Sequence, residues 1–345
     1  MSKFRVGVTP DFYTDASGLF EHVLESQLGT AGIEWGPMPE QPGKVATLEA
    51  LDQFDAIFAL ALKFTAESVR GVKRLALVAR WGVGYDMIDT KALTEAGVAL
   101  GIAPNGVRRP VAEAILTFIL ALTTQLIPKD KLLRSGQWRA GLQLGRNLKG
   151  RVLGSIGCGN IGHEMFRIVQ SLGFGRLIAY DPYVTPEQVK SLNVELVSMD
   201  EVFRQSDFVA INTLLNESTR GLVGEPQLRA MKPTAYLINT ARGPIIQEQV
   251  LIRALQERWI AGAGLDVFET EPLPLDSPLR DLDNVILTPH GLAWTEEIAR
   301  DNALDACQNI LAVSRGELPP ALVNREVAGI PAFQAKLSAF QLPQR

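Results

Sequence analysis

Short apolar runs alternate with helix-like stretches along almost the whole chain, and the runs fall into two series. The first holds "FRVGV" from Phe4, "IEWGPM" from Ile33, "AIFALAL" from Ala56, "LALVAR" from Leu75 and "VALGIA" from Val98. The second holds "RVLGSIG" from Arg151, "RLIAYD" from Arg176, "VELV" from Val194, "DFVAIN" from Asp207, "AYLINTA" from Ala235, "AGAGLDV" from Ala261 and "NVILTP" from Asn284. Runs this continuous suit strands buried on both faces, with the intervening helices as covering layers. Among those helices are "LFEHVLESQL" from Leu19 and "DTKALTEAG" from Asp89, the latter opened by an Asp cap and closed by a Gly. The pattern predicts an α/β chain with two doubly wound parallel sheets, one per series.

Between the series runs "AEAILTFILALTTQLI" from Ala112, which reads as a long buried or interface helix ended by Pro128. After "NVILTPHGLAW" comes one more amphipathic helix, "EEIARDNALDACQNILAVSRGE", closing near Gly316. No strand partner follows it, so the chain is expected to cross back and pack this helix on the first domain. Beyond Val327 the sequence carries few signals.

Composition narrows the picture. The 345 residues suffice for two cores, and 46% hydrophobic with 21% charged residues is a globular balance. A net charge of −4 gives no reason to expect nucleic acid or an anionic membrane as partner, so any anion must be held by local groups. Two cysteines, Cys158 and Cys307, form no disulfide framework and point to a reducing compartment. The N-terminus reads as a strand rather than a signal peptide, and "AILTFILAL" from Ala114 is too short to span a bilayer. The expectation is a soluble cytoplasmic protein with no membrane, nucleic-acid or metal partner.

The first chemical signal is "VLGSIGCGNIGHEMF", in which Gly157, Gly159 and Gly162 take the spacing G-x-G-x-x-G between a strand and a helix. Gly157 permits the tight turn, Gly159 admits a pyrophosphate to the backbone, and Gly162 lets helix and strand pack closely. The helix N-terminus offers free amides to the phosphates. A glycine-rich turn that binds nothing has the same spacing. What separates the two is Asp181, which ends the next strand 19 positions after Gly162, where a carboxylate bonds the adenosine ribose hydroxyls. That carboxylate would repel a 2′-phosphate, and Pro182 and Tyr183 supply no arginine to receive one. NAD is therefore expected over NADP.

A bound nicotinamide needs a hydride partner and a proton relay. Arg242, Glu271 and His290 all follow strands of the second series, and in open α/β sheets ligands gather beyond those carboxyl ends. An arginine fork holds a carboxylate, and a histidine exchanges protons near neutral pH when a neighbouring carboxylate orients it. His22 reads as solvated, His163 as a packing or capping residue, and Cys158 as a small filler.

These residues, with the motifs around them, resemble the D-isomer-specific 2-hydroxyacid dehydrogenases, the group that includes D-3-phosphoglycerate dehydrogenase and hydroxypyruvate/glyoxylate reductase. The resemblance runs from "ARWGVGYDMID" at Ala79 through "LKGRVLGSIGCGNIG", "INTARGPIIQEQVLIRAL" and "GAGLDVFETEPLP" to "NVILTPH" and "ALVNREV". It implies catalytic roles for Arg242, Glu271 and His290. It places cofactor contacts on Asn160, Ile161, Asp181, Thr213, Thr240, Ala241 and Asp266 beside the glycines, and substrate-carboxylate amides on Val83 and Gly84. It further implies a flavodoxin-like substrate domain from residues 1–103 plus 292–345, an inserted Rossmann NAD-binding domain at 104–291, and a homodimer through the latter. The implied reaction moves a hydride between NAD and a D-2-hydroxy or 2-oxo acid in an interdomain cleft. A competing reading from another class is an NAD(H)-sensing corepressor scaffold similar to the C-terminal-binding proteins.

Three places depart from the family pattern. Asn212-Thr213-Leu214 stands where relatives often read His-x-Pro, and Gly291-Leu292-Ala293-Trp294 follows the histidine with a bulkier wall. Arg108 and Arg109 occupy positions where relatives generally have small or polar residues. Either they receive a second anionic group of the substrate or they form a solvated charge pair. Trp138 and Trp294 read as packing or dimer contacts.

Overall fold

The structure, a computed structural model, describes residues 3–341. It divides into two compact units, one drawn from Met1–Val107 and Thr295–Arg345, the other from Arg108–Trp294.

The first unit is built on β1 (Arg5–Val8), β2 (Glu34–Pro37), β3 (Ala56–Ala59), β4 (Leu77–Arg80) and β5 (Ala99–Gly101). They form one parallel sheet in the order β2-β1-β3-β4-β5, which is the flavodoxin-like winding. Its two faces are both buried. One packs Val6, Val8, Phe58 and Leu77 against Ala303, Ile310 and Val313 of helix Glu296–Ser314, so the crossing-back helix belongs where the pattern put it. The other packs Ile57 and Val78 against Leu51, Val69 and Leu93.

The second unit carries β6 (Val152–Ile156), β7 (Arg176–Tyr180), β8 (Val194–Leu196), β9 (Phe208–Ile211), β10 (Tyr236–Asn239), β11 (Gly262–Leu265) and β12 (Val285–Leu287). Their order, β12-β11-β10-β9-β6-β7-β8, reverses direction between β6 and β9, the switch point of a dinucleotide-binding sheet. In β9, Phe208 and Ala210 face one core and Val209 and Ile211 the other, which explains the unbroken apolar run. Each strand anticipated from the apolar runs is present.

Helices follow the sequence less closely. The segment from Leu19 runs as Glu21–Leu24 and then widens into a π turn at Glu25–Gly29. Asp89 caps Thr90–Glu95 by accepting from the Ala92 amide. The long helix Arg108–Thr124 buries Ala112, Ile115, Phe118, Ile119 and Leu122 along one stripe. It does not run to Pro128. It breaks at Gln125, which takes a left-handed conformation (φ 57°), and a second helix spans Leu126–Arg134. Pro128 sits in the first turn of that second helix, where its missing N–H costs no intrahelical bond.

Residues 102–107 stay with the first unit because helix Glu296–Ser314 binds them along one polar stripe. Asn309 Nδ2 donates to the Ile102 carbonyl (3.0 Å), and Asp305 accepts from the Asn105 amide (2.8 Å) and side chain (3.1 Å). The exposed edge of β5 is covered by Leu322–Asn324. The Val323 amide donates to Leu100 (2.9 Å), and buried Asn324 accepts from the Leu100 amide while donating to the Val98 carbonyl. This pairing hides backbone groups that would otherwise template aggregation.

The quiet tail beyond Val327 is ordered as helix Pro331–Phe340. Phe333 is fully buried, and the Phe340 ring meets Phe4 edge-on at 4.9 Å. Lys336 Nζ donates to the carbonyls of Leu75 (2.7 Å) and Gly97 (3.0 Å). Burial lowers the amine from 10.5 to about 8, with the Asp52 charge opposing the shift. Between these two values the unfolded chain holds a proton that the folded chain has released, so folding stability rises with pH across that window. Denaturant unfolding at a series of pH values tests this. Lys336→Met removes part of the rise; an identical pH dependence in both proteins would show that Lys336 is not its source.

Candidate active site

Strands β10, β11 and β12 are neighbours in register, with Asn239, Leu265 and Leu287 near the ends of their ladders. Arg242 lies three positions past Asn239, Glu271 six past Leu265, and His290 three past Leu287. Parallel strands therefore deliver the three side chains to one rim.

Glu271 and His290 are joined directly: Nδ1 of the ring lies 2.7 Å from the Glu271 Oε2. The other Glu271 oxygen accepts from the Phe268 amide (3.0 Å). Burial pushes this carboxyl up, but the His290 hydrogen bond and charge, the Phe268 amide and the Arg242 charge together hold it below the usual glutamate range. An ionised carboxylate only accepts, so Nδ1 carries the hydrogen and Nε2 is left to exchange a proton with a ligand. Both side chains reach solvent.

The His290 backbone is left-handed (φ 51°), an uncommon conformation for a residue with a side chain. Buried Asp266 holds it there. Its Oδ1 accepts from Thr288 Oγ1 (2.6 Å) and from the amides of Gly291 (3.0 Å) and Leu292 (3.1 Å), clamping the turn on both sides of the histidine. The family resemblance implies a cofactor contact for Asp266; its bracing of this turn left no sequence signal.

Arg242 is set by Asn239, which is 1% exposed. Asn239 Oδ1 accepts from the Ala241 amide (3.0 Å) and its Nδ2 donates to the Arg242 carbonyl (2.9 Å), shaping the Thr240–Arg242 turn. The guanidinium donates to the Ala241 carbonyl (2.8 Å). Asn239 lies in the "INTARGPI" stretch, and only its burial reveals its use.

The glycine loop leaves β6 at the switch point. Gly157 has φ 93°, and a Cβ there would lie 2.5 Å from the Asn212 carbonyl, so no other residue fits the turn beside β9. Gly159 faces open space where a Cβ would stand, and Gly162 packs close to the Gly157 carbonyl. Helix Asn160–Val169 begins at Gly159 with no side-chain cap. The departure at Asn212 has a local purpose: its Nδ2 donates to Ser155 Oγ (2.9 Å), which donates to the Gly157 carbonyl (2.6 Å). Asp181 accepts from the amides of Cys158 (2.7 Å) and Tyr183 (2.9 Å) at the end of β7. Thr213 follows β9 on the same rim, and Thr240 Oγ1 is buried with no partner among the described residues. An open backbone cradle, an uncapped helix N-terminus and an orphaned hydroxyl fit a dinucleotide.

Other residues are placed without entering this rim. Burial, then the Asp181 charge, pushes the Cys158 thiol up to about 12, which suits a filler. His22 is exposed, and His163 Nε2 is buried without a partner among the described residues. Arg109 pairs with Glu113 and with Glu164, bridging two helices of its own unit. No metal-binding group of His, Cys, Asp and Glu occurs among the described residues, and no single helix there is long and apolar enough to cross a membrane.

In the first unit, Val83 and Gly84 lie in the loop after β4. Buried Arg80 holds that loop from beneath by donating to the carbonyls of Trp81 and Gly84, and the Gly82 carbonyl accepts from Ala103. Sequence reasoning passed over Arg80, because an arginine ending a buried strand carries no mark of where its guanidinium turns.

Residues 116–291 match the family model described as the NAD-binding domain of D-isomer-specific 2-hydroxyacid dehydrogenases. The chain is 38% identical over 301 residues to a glyoxylate reductase of Korarchaeum cryptofilum, covering 85% of this chain and 90% of that one. It is 34% identical over 338 residues to a glyoxylate reductase of Aeropyrum pernix, covering 96% and 98%. Among solved structures it is similar to a glyoxylate reductase from Paecilomyes thermophila, with a TM-score of 0.83 at 28% identity over 94% of this chain and all of that one. The chain belongs to the D-isomer-specific 2-hydroxyacid dehydrogenase family, as an NAD-dependent enzyme.

Proposed function

We propose that the enzyme reduces a small 2-oxo acid of the glyoxylate or hydroxypyruvate kind to its D-2-hydroxy acid, and runs the reverse oxidation when product is in excess. The observation that carries this reading is the Glu271–His290 pair beside Arg242 at one rim. The names of the similar reductases point to the same substrates. A phosphorylated substrate of the 3-phosphoglycerate type would need a second anion receptor, and Arg109 is committed to Glu113 and Glu164.

Each group then has one task. Arg242 receives the substrate carboxylate as a fork. In reduction, protonated His290 gives the Nε2 proton to the carbonyl oxygen at C2; in oxidation the neutral ring removes the hydroxyl proton there. Glu271 stabilises the imidazolium and keeps Nε2 aimed outward. NAD, when bound, supplies or accepts the hydride. We assign its pyrophosphate to Gly157, Gly159, Asn160, Ile161 and Gly162, its ribose to Asp181, and its nicotinamide end to Thr213, Thr240, Ala241 and Asp266.

NADH oxidation measured with glyoxylate, hydroxypyruvate and 3-phosphohydroxypyruvate tests the substrate, with turnover expected on the first two. His290→Ala should lose about 10²–10⁴-fold in kcat while still binding NADH. Near-normal turnover in that variant overturns the assignment, and NADH binding without turnover in the native chain favours the scaffold reading.

We also propose a homodimer through the NAD-binding unit. Leu126, Leu133, Trp138 and Leu144 are exposed along one stretch of it, Trp138 at 70% and Leu144 at 86%, which is costly for a free surface. Light scattering should give about twice the chain mass of 37.6 kDa. Trp138→Asp with Leu144→Asp should return it to one chain, and a native monomer would contradict the proposal.

A further inference from the structure

Helix Glu248–Gln256 follows the Arg242 turn and begins without a local cap, since Gln247 at its N-cap makes no side-chain bond there. Its first amide needs an acceptor all the same. That acceptor comes from 21 residues away: the Glu248 amide donates to Glu269 Oε1 at 3.2 Å. The bond is returned, because the Glu269 amide donates to Glu248 Oε2 at 2.9 Å. The two glutamates thus cap each other's backbone across two segments, an arrangement normally made within one helical turn.

The segment held this way presents the catalytic glutamate. Phe268 precedes Glu269 and gives its amide to Glu271 Oε1, whose partner oxygen holds His290. Close to the latch the two segments also touch backbone to backbone. A Cβ on Gly243 would stand 1.9 Å from the Phe268 carbonyl carbon and 2.5 Å from the Glu269 nitrogen, so only glycine allows this approach. Burial, against the pull of the Glu269 amide and with the push of the Glu269 charge, leaves the Glu248 carboxyl above its usual range. Two like charges are kept side by side here, and each is tied to an amide of the opposite segment.

We propose that Glu248, with Glu269, is a positioning residue for the reaction: the reciprocal latch fixes the Phe268–Glu271 loop so that Glu271 meets His290. The proposal rests on the roles given above to Glu271 and His290. Both glutamates are partly exposed, so water competes for these bonds and their contribution to overall stability is small. Their effect is on geometry, where small displacements of a catalytic group reduce rate steeply.

The test compares Glu248→Ala, Glu248→Gln, Glu269→Ala and the Glu248→Ala/Glu269→Ala double variant, using NADH and the best 2-oxo acid of the panel. Glu248→Ala should lower kcat about 10- to 100-fold and displace the pH–rate profile, with NADH affinity and melting temperature close to native. Glu248→Gln keeps an oxygen for the Glu269 amide and should stay near native. The double variant should be no worse than the worse single one, because both remove the same latch. Native kcat and pH profile in Glu248→Ala, equal losses in Gln and Ala, or additive losses in the double variant each overturn the proposal. His290→Ala in the same assay separates the two levels. If it is inactive while Glu248→Ala is native-like, only the latch fails; if it turns over normally, the reading of the site itself fails.

Discussion

A single hydrogen bond, 2.7 Å between His290 Nδ1 and Glu271 Oε2, decides what the rim of the second unit can do. Against the push of burial, the His290 bond and charge, the Phe268 amide and the Arg242 charge hold the Glu271 carboxyl below its usual range, and an ionised carboxylate fixes the tautomer of the ring. The nitrogen proposed to exchange a proton with the substrate is therefore set by this pairing before any ligand arrives. The Phe268 amide on Glu271 and the Asp266 clamp on the His290 turn hold the two partners in place.

The sheet supplies the coarse placement and buried polar groups supply the fine one. Three adjacent parallel strands bring Arg242, Glu271 and His290 to one rim, but a strand end fixes a side chain only loosely. Asp266 clamps the left-handed turn at His290, Asn239 folds the Arg242 turn, and the Asn212–Ser155 pair steadies the glycine loop. Asp266 and Asn239 are buried at the ends of their strands, where a satisfied hydrogen bond resists displacement more than it does in water.

This division explains what was legible in the chain. The strands were visible because burial on both faces leaves continuous apolar runs, and Arg242, Glu271 and His290 were visible because each follows such a run. The braces were not. Asp266 and Asn239 act through bonds to backbone groups whose positions follow only from the folded turn, and Arg80 turns back under its own loop. Helix Pro331–Phe340 was missed because its anchors, Phe333 and Lys336, dock onto segments far away in sequence and carry no local period. Pro128 misled for a different reason: proline marks a helix boundary without saying on which side of it the helix lies.

The direct test is the protonation of the His290 ring itself. The chain has three histidines, so nitrogen-15 NMR of histidine-labelled protein, assigned with His290→Ala, resolves each ring. At a pH where the ring is neutral, hydrogen is expected on Nδ1 with Nε2 bare, and this preference should weaken in Glu271→Leu. A ring that carries its hydrogen on Nε2 in the native protein would contradict it, because Glu271 would then not be setting the nitrogen that meets the substrate.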